Sequence, residues 1–172
     1  MYKSISTFIS VFSILFFTST AFALSAVNVE NCKKMENTET PFILVLNMND
    51  HLLENITQCA ANAKLNAASV SGLGQLHDPA LAYFTSHPED KPSVKKFSGF
   101  FELTNLTGNI TNNKGQYYTH VHATLADKNF KGIAGHVDSA TVGLTAEITI
   151  APLVSHVERE VDAKTGFGPI VH

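Results

Sequence analysis

Positive charge is scarce in this sequence. Its one arginine is Arg159, its only dense lysine cluster is Lys91, Lys95 and Lys96, and its formal charge is −3. A nucleic-acid surface draws its affinity from clustered Lys and Arg, so nucleic acid is disfavoured as a partner. Cysteine is scarce too. Cys32 and Cys59 are the only two and form no C-x-x-C pair, which leaves redox catalysis without support. No G-x-S-x-G, H-E-x-x-H or Walker pattern occurs, and Gly72-x-Gly74 falls far short of a dinucleotide fingerprint. What is present, 44% hydrophobic, 9% aromatic and 16% charged residues, suits one globular domain with a core. It rules out a disordered tail, a collagen-like repeat or a coiled coil.

The composition is uneven along the chain. Residues 1–23 hold five of the twelve Phe, a single charge at Lys3, and neither Gly nor Pro. Lys3 supplies a positive start, Phe8 to Phe17 is an apolar stretch, and Ala21-Phe22-Ala23 has the A-x-A form of a signal peptidase site. A membrane anchor is the alternative, but a spanning helix wants about 20 predominantly apolar residues, and Thr18-Ser19-Thr20 interrupts this run early. The expectation is a cleaved signal peptide, no stable membrane span afterwards, and a periplasmic or secreted product. Val29-Glu30-Asn31 before Cys32 lacks the small residues of a lipobox. Cleavage leaves 149 residues and removes only Lys3 from the charge balance, giving −4. In an oxidising compartment Cys32 and Cys59 allow one disulfide. Cys59 also falls on an apolar helix stripe, so a buried free thiol is an equal reading.

Residues 24–39 read as an irregular lead-in, 40–155 as the domain, and 156–172 as a C-terminal strand and tail. Phe42-Ile43-Leu44-Val45-Leu46 after Pro41 has the continuous apolar pattern of a buried strand. Asn49 or Asp50 is placed to cap a helix over about 50–65, where Leu52, Leu53, Ile56, Cys59, Ala60 and Ala63 recur at helical spacing. The rest reads as strands: 67–75, 80–85, 97–106, 116–126, 131–137, 140–152 and 155–161. The prediction is an α+β domain, a mainly antiparallel curved sheet of about seven or eight strands packed on one main helix. Asn55, Asn105 and Asn109 open N-x-Thr triplets, which matter only in a eukaryotic secretory pathway.

The segment 116–136 carries the chemistry. Alternate strand residues face opposite sides. The odd set Tyr117, Thr119, Val121, Ala123 and Leu125 is the more apolar, which puts Tyr118, His120, His122 and Thr124 on the other face. His120 and His122 then stand about 6.5–7 Å apart at Cα, close enough for both imidazoles to reach one ion. With Ile133 and Val137 in the core, His136 joins that face, provided the intervening turn has an odd number of residues. A three-residue loop, 127–129, sets His136 opposite His120. Three neutral imidazoles leave a fourth position on a divalent ion such as Zn2+ for water or a small polar ligand. Exposed strand histidines with no ligand are the plain alternative. Glu102 and Glu147, both predicted to face away from the core, are candidate general bases or orienting groups, with Glu102 the candidate catalytic base. If the site is catalytic, metal-assisted hydrolysis or lyase chemistry follows. His51, His77, His87, His156 and His172 show no comparable grouping and read as surface residues.

Phe101-Glu102-Leu103, Leu106-Thr107-Gly108-Asn109-Ile110, His120-Val121-His122-Ala123-Thr124-Leu125-Ala126-Asp127 and Gly135-His136 together resemble the plant- and prokaryote-conserved (PPC) domain. That domain occurs in AT-hook nuclear-localised proteins and as stand-alone bacterial and archaeal proteins, and the likeness spans about residues 40–155. The resemblance implies a mainly antiparallel α+β fold assembled as a homotrimer, with His120, His122 and His136 at a metal site near the subunit boundary. The family is often labelled DNA-binding. This chain departs from the hook-bearing members in having no Arg-Gly-Arg hook, an acidic body and an export-like leader. It also has Ala134-Gly135 where Gly-Gly is usual. A non-catalytic trimerisation or interaction module is the competing reading.

Overall fold

Pro41 closes an irregular stretch, and the apolar run behind it forms strand β2 (Phe42–Asn47), which buries Phe42, Leu44 and Leu46 completely. The structure, a computed structural model, describes residues 25–171 apart from residue 88. The leader, its expected cleavage site and His172 lie outside the described residues. The lead-in is more ordered than its sequence indicates: strand β1 (Ser25–Val27) pairs in parallel with β2, and a 3-10 helix spans Val29–Met35. Asn28 caps that helix by accepting from the Asn31 amide.

Helix α1 (Leu52–Asn62) turns Leu52, Ile56, Cys59 and Ala60 into the core, as its 3–4 spacing predicts. Its cap differs from expectation. His51 occupies the N-cap without a side-chain bond, while Asp50 accepts from the Asn47 amide and so closes the preceding turn. Five further strands follow: β3 (Ala67–Tyr83), β4 (Ser93–Lys96), β5 (Phe100–Asn113), β6 (Gln116–Ala126) and β7 (Gly132–Leu153). All their pairings are antiparallel, and β2 joins β7 antiparallel as well. The sheet is therefore seven-stranded, in the order β1-β2-β7-β6-β5-β3-β4, with β7 also pairing β3. That last pairing links β3, β5, β6 and β7 into a closed cycle around the core.

Two breaks expected in the strand series do not occur. Asp78-Pro79 reads as a stop, yet Asp78 takes φ 48° and its Oδ1 accepts from the Gly99 amide, so β3 runs on through a bulge. β7 likewise continues through Asp138 and Ser139. The strand expected at 155–161 is absent. That segment meets β5 at one isolated bridge, Asn112–Glu158, before the tail turns. Lys95 and Lys96 lie on the short edge strand β4, where lysine discourages pairing with another sheet. Among the described residues no helix is long and apolar enough to cross a membrane.

Candidate metal centre and its cavity

On β6 the alternation holds. Val121, Ala123 and Leu125 are buried in the core, and Thr119 on the same side shares a 2.7 Å hydroxyl contact with Thr57 of α1. Tyr118, His120 and His122 face the other way. Gly108 allows this spacing. It faces Val121 across the β5–β6 ladder, and a Cβ at that position would collide with the His120 carbonyl and the Val121 Cα. Only a residue without a side chain lets β5 approach so closely.

His136 comes from β7 and stands opposite His122, not opposite His120. The turn between β6 and β7 has five residues, 127–131, because Asp127 organises it. Its Oδ1 accepts from the amides of Asn129 (2.8 Å) and Lys131 (2.9 Å), and its backbone pairs with Lys131 and Phe130. Phe130 takes the left-handed conformation, φ 61°. Five and three are both odd, so His136 keeps its face but moves two residues along the ladder.

The outcome is one cluster. His120 and His136 have ring centroids 4.9 Å apart, and each lies 5.4 Å from the His122 ring. One nitrogen from each ring lies within 4.8 Å of the other two. Phe84, just past β3, stands edge-on to His136 at 5.3 Å. Burial pushes the His120 pKa down to about 4, helped by the charges of His136, Arg159 and His122. Burial also lowers His136, with His122 and Arg159 adding to it and Asp138 opposing. His120 and His136 are thus neutral near pH 7, the form that binds metal. His136 Nδ1 is buried with no hydrogen-bond partner, which is costly unless something binds it. Three ring-nitrogen donors in mutual reach, one of them orphaned, fit a divalent ion.

The cluster lines a cavity of about 630 Å³. Two residues of β5 and β6 that the alternation places beside the histidines, Asn109 and Tyr118, line it as well. Its far side is the tail, Gly166 to Ile170. In sequence 156–172 reads as no more than a strand and tail, and neither that tail nor Arg159 stands out in it as part of a site. This arginine is 4% exposed and donates from Nε to Thr111 Oγ1 (3.0 Å), from one terminal nitrogen to Asn109 Oδ1 (2.9 Å) and from the other to the Gly168 carbonyl. Its guanidinium carbon lies 5.2 Å from the Tyr118 ring centre. Being the only arginine was the one available signal.

Glu102 does not reach the cavity within the chain. It pairs with Ala126 in the ladder, four residues along β6 from His122, or about 13 Å at strand rise. Its carboxylate accepts from Gln75 Nε2 at 3.0 Å. Glu147 sits against Leu73 and Val45, also away from the cluster. Within one chain neither lines the cavity. Cys32 and Cys59 form a disulfide with Cα atoms 5.3 Å apart, tying the 3-10 helix to α1. Both residues are buried and neither lines the cavity.

Residues 33–154 match the Plants and Prokaryotes Conserved (PCC) domain, and the chain belongs to that family. The matched span ends before Arg159 and the tail. The solved structures that share the fold include these three. A "putative DNA-binding protein" from Ralstonia eutropha JMP134 is 25% identical with a TM-score of 0.69, over 80% of this chain and 94% of that one. The PPC protein of Pyrococcus horikoshii is 21% identical with a TM-score of 0.68, over 77% and 93%. The metal-containing protein of Archaeoglobus fulgidus is also 21% identical at 0.68, over 77% and 94%. No curated protein matches the sequence.

Proposed function

We propose that this PCC-domain chain is an exported homotrimer that binds a divalent metal, zinc first, through His120, His122 and His136. The observation that carries the metal reading is the convergence of three ring nitrogens within 4.8 Å on one cavity wall. The orphaned Nδ1 of His136 supports it, as does the metal-containing relative from Archaeoglobus fulgidus. Held by three neutral imidazoles, a zinc ion would act as a Lewis acid with one position open to water or ligand. The chain's own residues do the rest. β6 and β7 fix the rings, Phe84 stands edge-on to His136, the tail lines the cavity, and Asn109, Tyr118 and Arg159 present polar groups to whatever enters.

The Cys32–Cys59 disulfide supports the export reading, since such bonds persist in oxidising compartments. Leu73, Phe100 and Leu144 leave apolar surface exposed, of the kind that subunit contacts cover, which agrees with a trimer. A DNA-binding reading rests on the names of relatives. The acidic balance argues against it, as does the burial of the one arginine, which cannot lie flat on a phosphate backbone.

Elemental analysis of the purified chain, joined to light scattering, tests the proposal. About one zinc per chain is expected, lost in His120→Ala/His122→Ala while the trimer persists. Metal-replete protein that carries no zinc would sink the metal reading and leave the non-catalytic assembly module in its place.

A further inference from the structure

Arg159 has no role in holding a metal, yet the fold buries it. Taking a guanidinium out of water is costly unless an anion or a full set of acceptors compensates. Here the acceptors are neutral: the Thr111 hydroxyl, the Asn109 amide oxygen and the Gly168 carbonyl. No carboxylate among the described residues lies within 4 Å of it. Three of its five N–H groups are engaged, so two remain on the side chain, which lines the cavity. The cavity therefore has a positive wall inside an acidic protein, and a divalent ion at the histidines would add to it.

We infer that this cavity binds a small organic carboxylate with an apolar body, its head group on Arg159 and its body against Phe84, Phe167, Pro169 and Ile170. The inference rests on the proposed metal cavity as the ligand's place, though the arginine needs no ion to act. A guanidinium fork matches the two oxygens of a carboxylate. The apolar side chains that line the same cavity favour an organic acid over inorganic phosphate. A volume of about 630 Å³ is that of a small-molecule site rather than a single-ion site.

Calorimetry on the full chain, zinc-loaded and metal-free, tests this with butyrate and phenylacetate, their alcohols 1-butanol and 2-phenylethanol, and inorganic phosphate. At least one acid should bind one per chain, about tenfold or more tighter than its alcohol. Arg159→Gln should weaken it by about 10- to 100-fold with zinc content unchanged. Acid and alcohol binding alike, phosphate binding alone, or no acid binding would overturn the inference. Should Arg159→Gln fail to fold, the acid–alcohol pairs on the unaltered protein decide. Acid binding by a chain that takes no zinc would keep this inference and remove the metal reading. Zinc binding without acid binding would do the reverse.

Discussion

On one side of the cavity, His120, His122 and His136 hang from two strands that pair directly and are flanked by β5 and β3. On the other side, Phe167, Gly168 and Pro169 hang from a tail that meets the sheet at one isolated bridge. Ladder hydrogen bonds hold the first side, many and mutually redundant. The second depends on fewer contacts. Among them are the Arg159 side chain reaching Gly168, the Arg159–Ile170 bridge, the Glu160 amide reaching the Pro169 carbonyl, the Val171 amide reaching the Glu158 carbonyl, and a turn organised by Asp162. Three rings can share an ion only if their spacing is fixed, and paired strands supply that. A wall that closes over a ligand needs only to be tethered. Stability should be concentrated in the ladder and local opening in the tail.

The largest break available is therefore in the ladder. In Gly108→Ala the added Cβ meets the His120 carbonyl and lies 2.7 Å from the Val121 Cα, both backbone atoms that cannot swing aside. Forcing β5 and β6 apart should cost about 1–3 kcal/mol, read by urea unfolding, and should lower zinc content. Tail contacts near Phe167 should survive in the molecules that remain folded. Unchanged stability would mean that the close approach at His120 matters little.

A smaller effect is expected from Asp162→Ala. Asp162 Oδ1 accepts from the amides of Lys164 (3.0 Å) and Thr165 (2.8 Å) and from the Thr165 hydroxyl (2.9 Å). Losing them should speed proteolysis and amide exchange around Gly166 and Phe167 while zinc content and global unfolding stay put. A tail that remains protected would show that Arg159 and the backbone bonds of Glu160 and Val171 secure it without that turn.

The same contrast explains what could be read before the structure was known. The histidine face was legible because period-two alternation, with Val121 and Leu125 pulled to the core, decides where His120 and His122 point. Parity also placed His136 on the right face. The ladder offset was not legible, since it depends on Asp127 gathering two amides into a five-residue turn. Asp78-Pro79 misled for a similar reason. Whether an aspartate at positive φ ends a strand or bulges it depends on the partner its carboxylate finds, here Gly99. The tail had no period to read. Arg159 becomes informative only when Thr111, Asn109 and Gly168, far apart in sequence, converge on it. Glu102 shows the converse. Parity gave its face but not its position along the strand, which sets it away from the histidines of its own chain.

The finest separation of the two sides is by pH, in the metal-free protein. His120 falls from the usual 6.5 to about 4 on folding, chiefly through burial, and His136 shifts in the same direction. Between those values the unfolded chain binds more protons than the folded one, so stability rises with pH. The contribution is fully present above about 6.5 and is lost as pH falls towards about 4. Asp162 titrates elsewhere. Bonds from the Thr165 amide and hydroxyl, with the Lys164 amide, hold its carboxyl below the usual 3.8. Its contribution is also present above the unfolded value, but it is lost only as pH falls below that. Acid should therefore weaken the histidine side first and the tail afterwards, the reverse of their mechanical order. Histidine ring proton shifts followed by NMR from pH 7 to 3, with tail amide exchange alongside, would reveal the sequence. A His120 that titrates at about 6.5 would mean that the cavity does not shield it from water, and the tail could not then be the wall described.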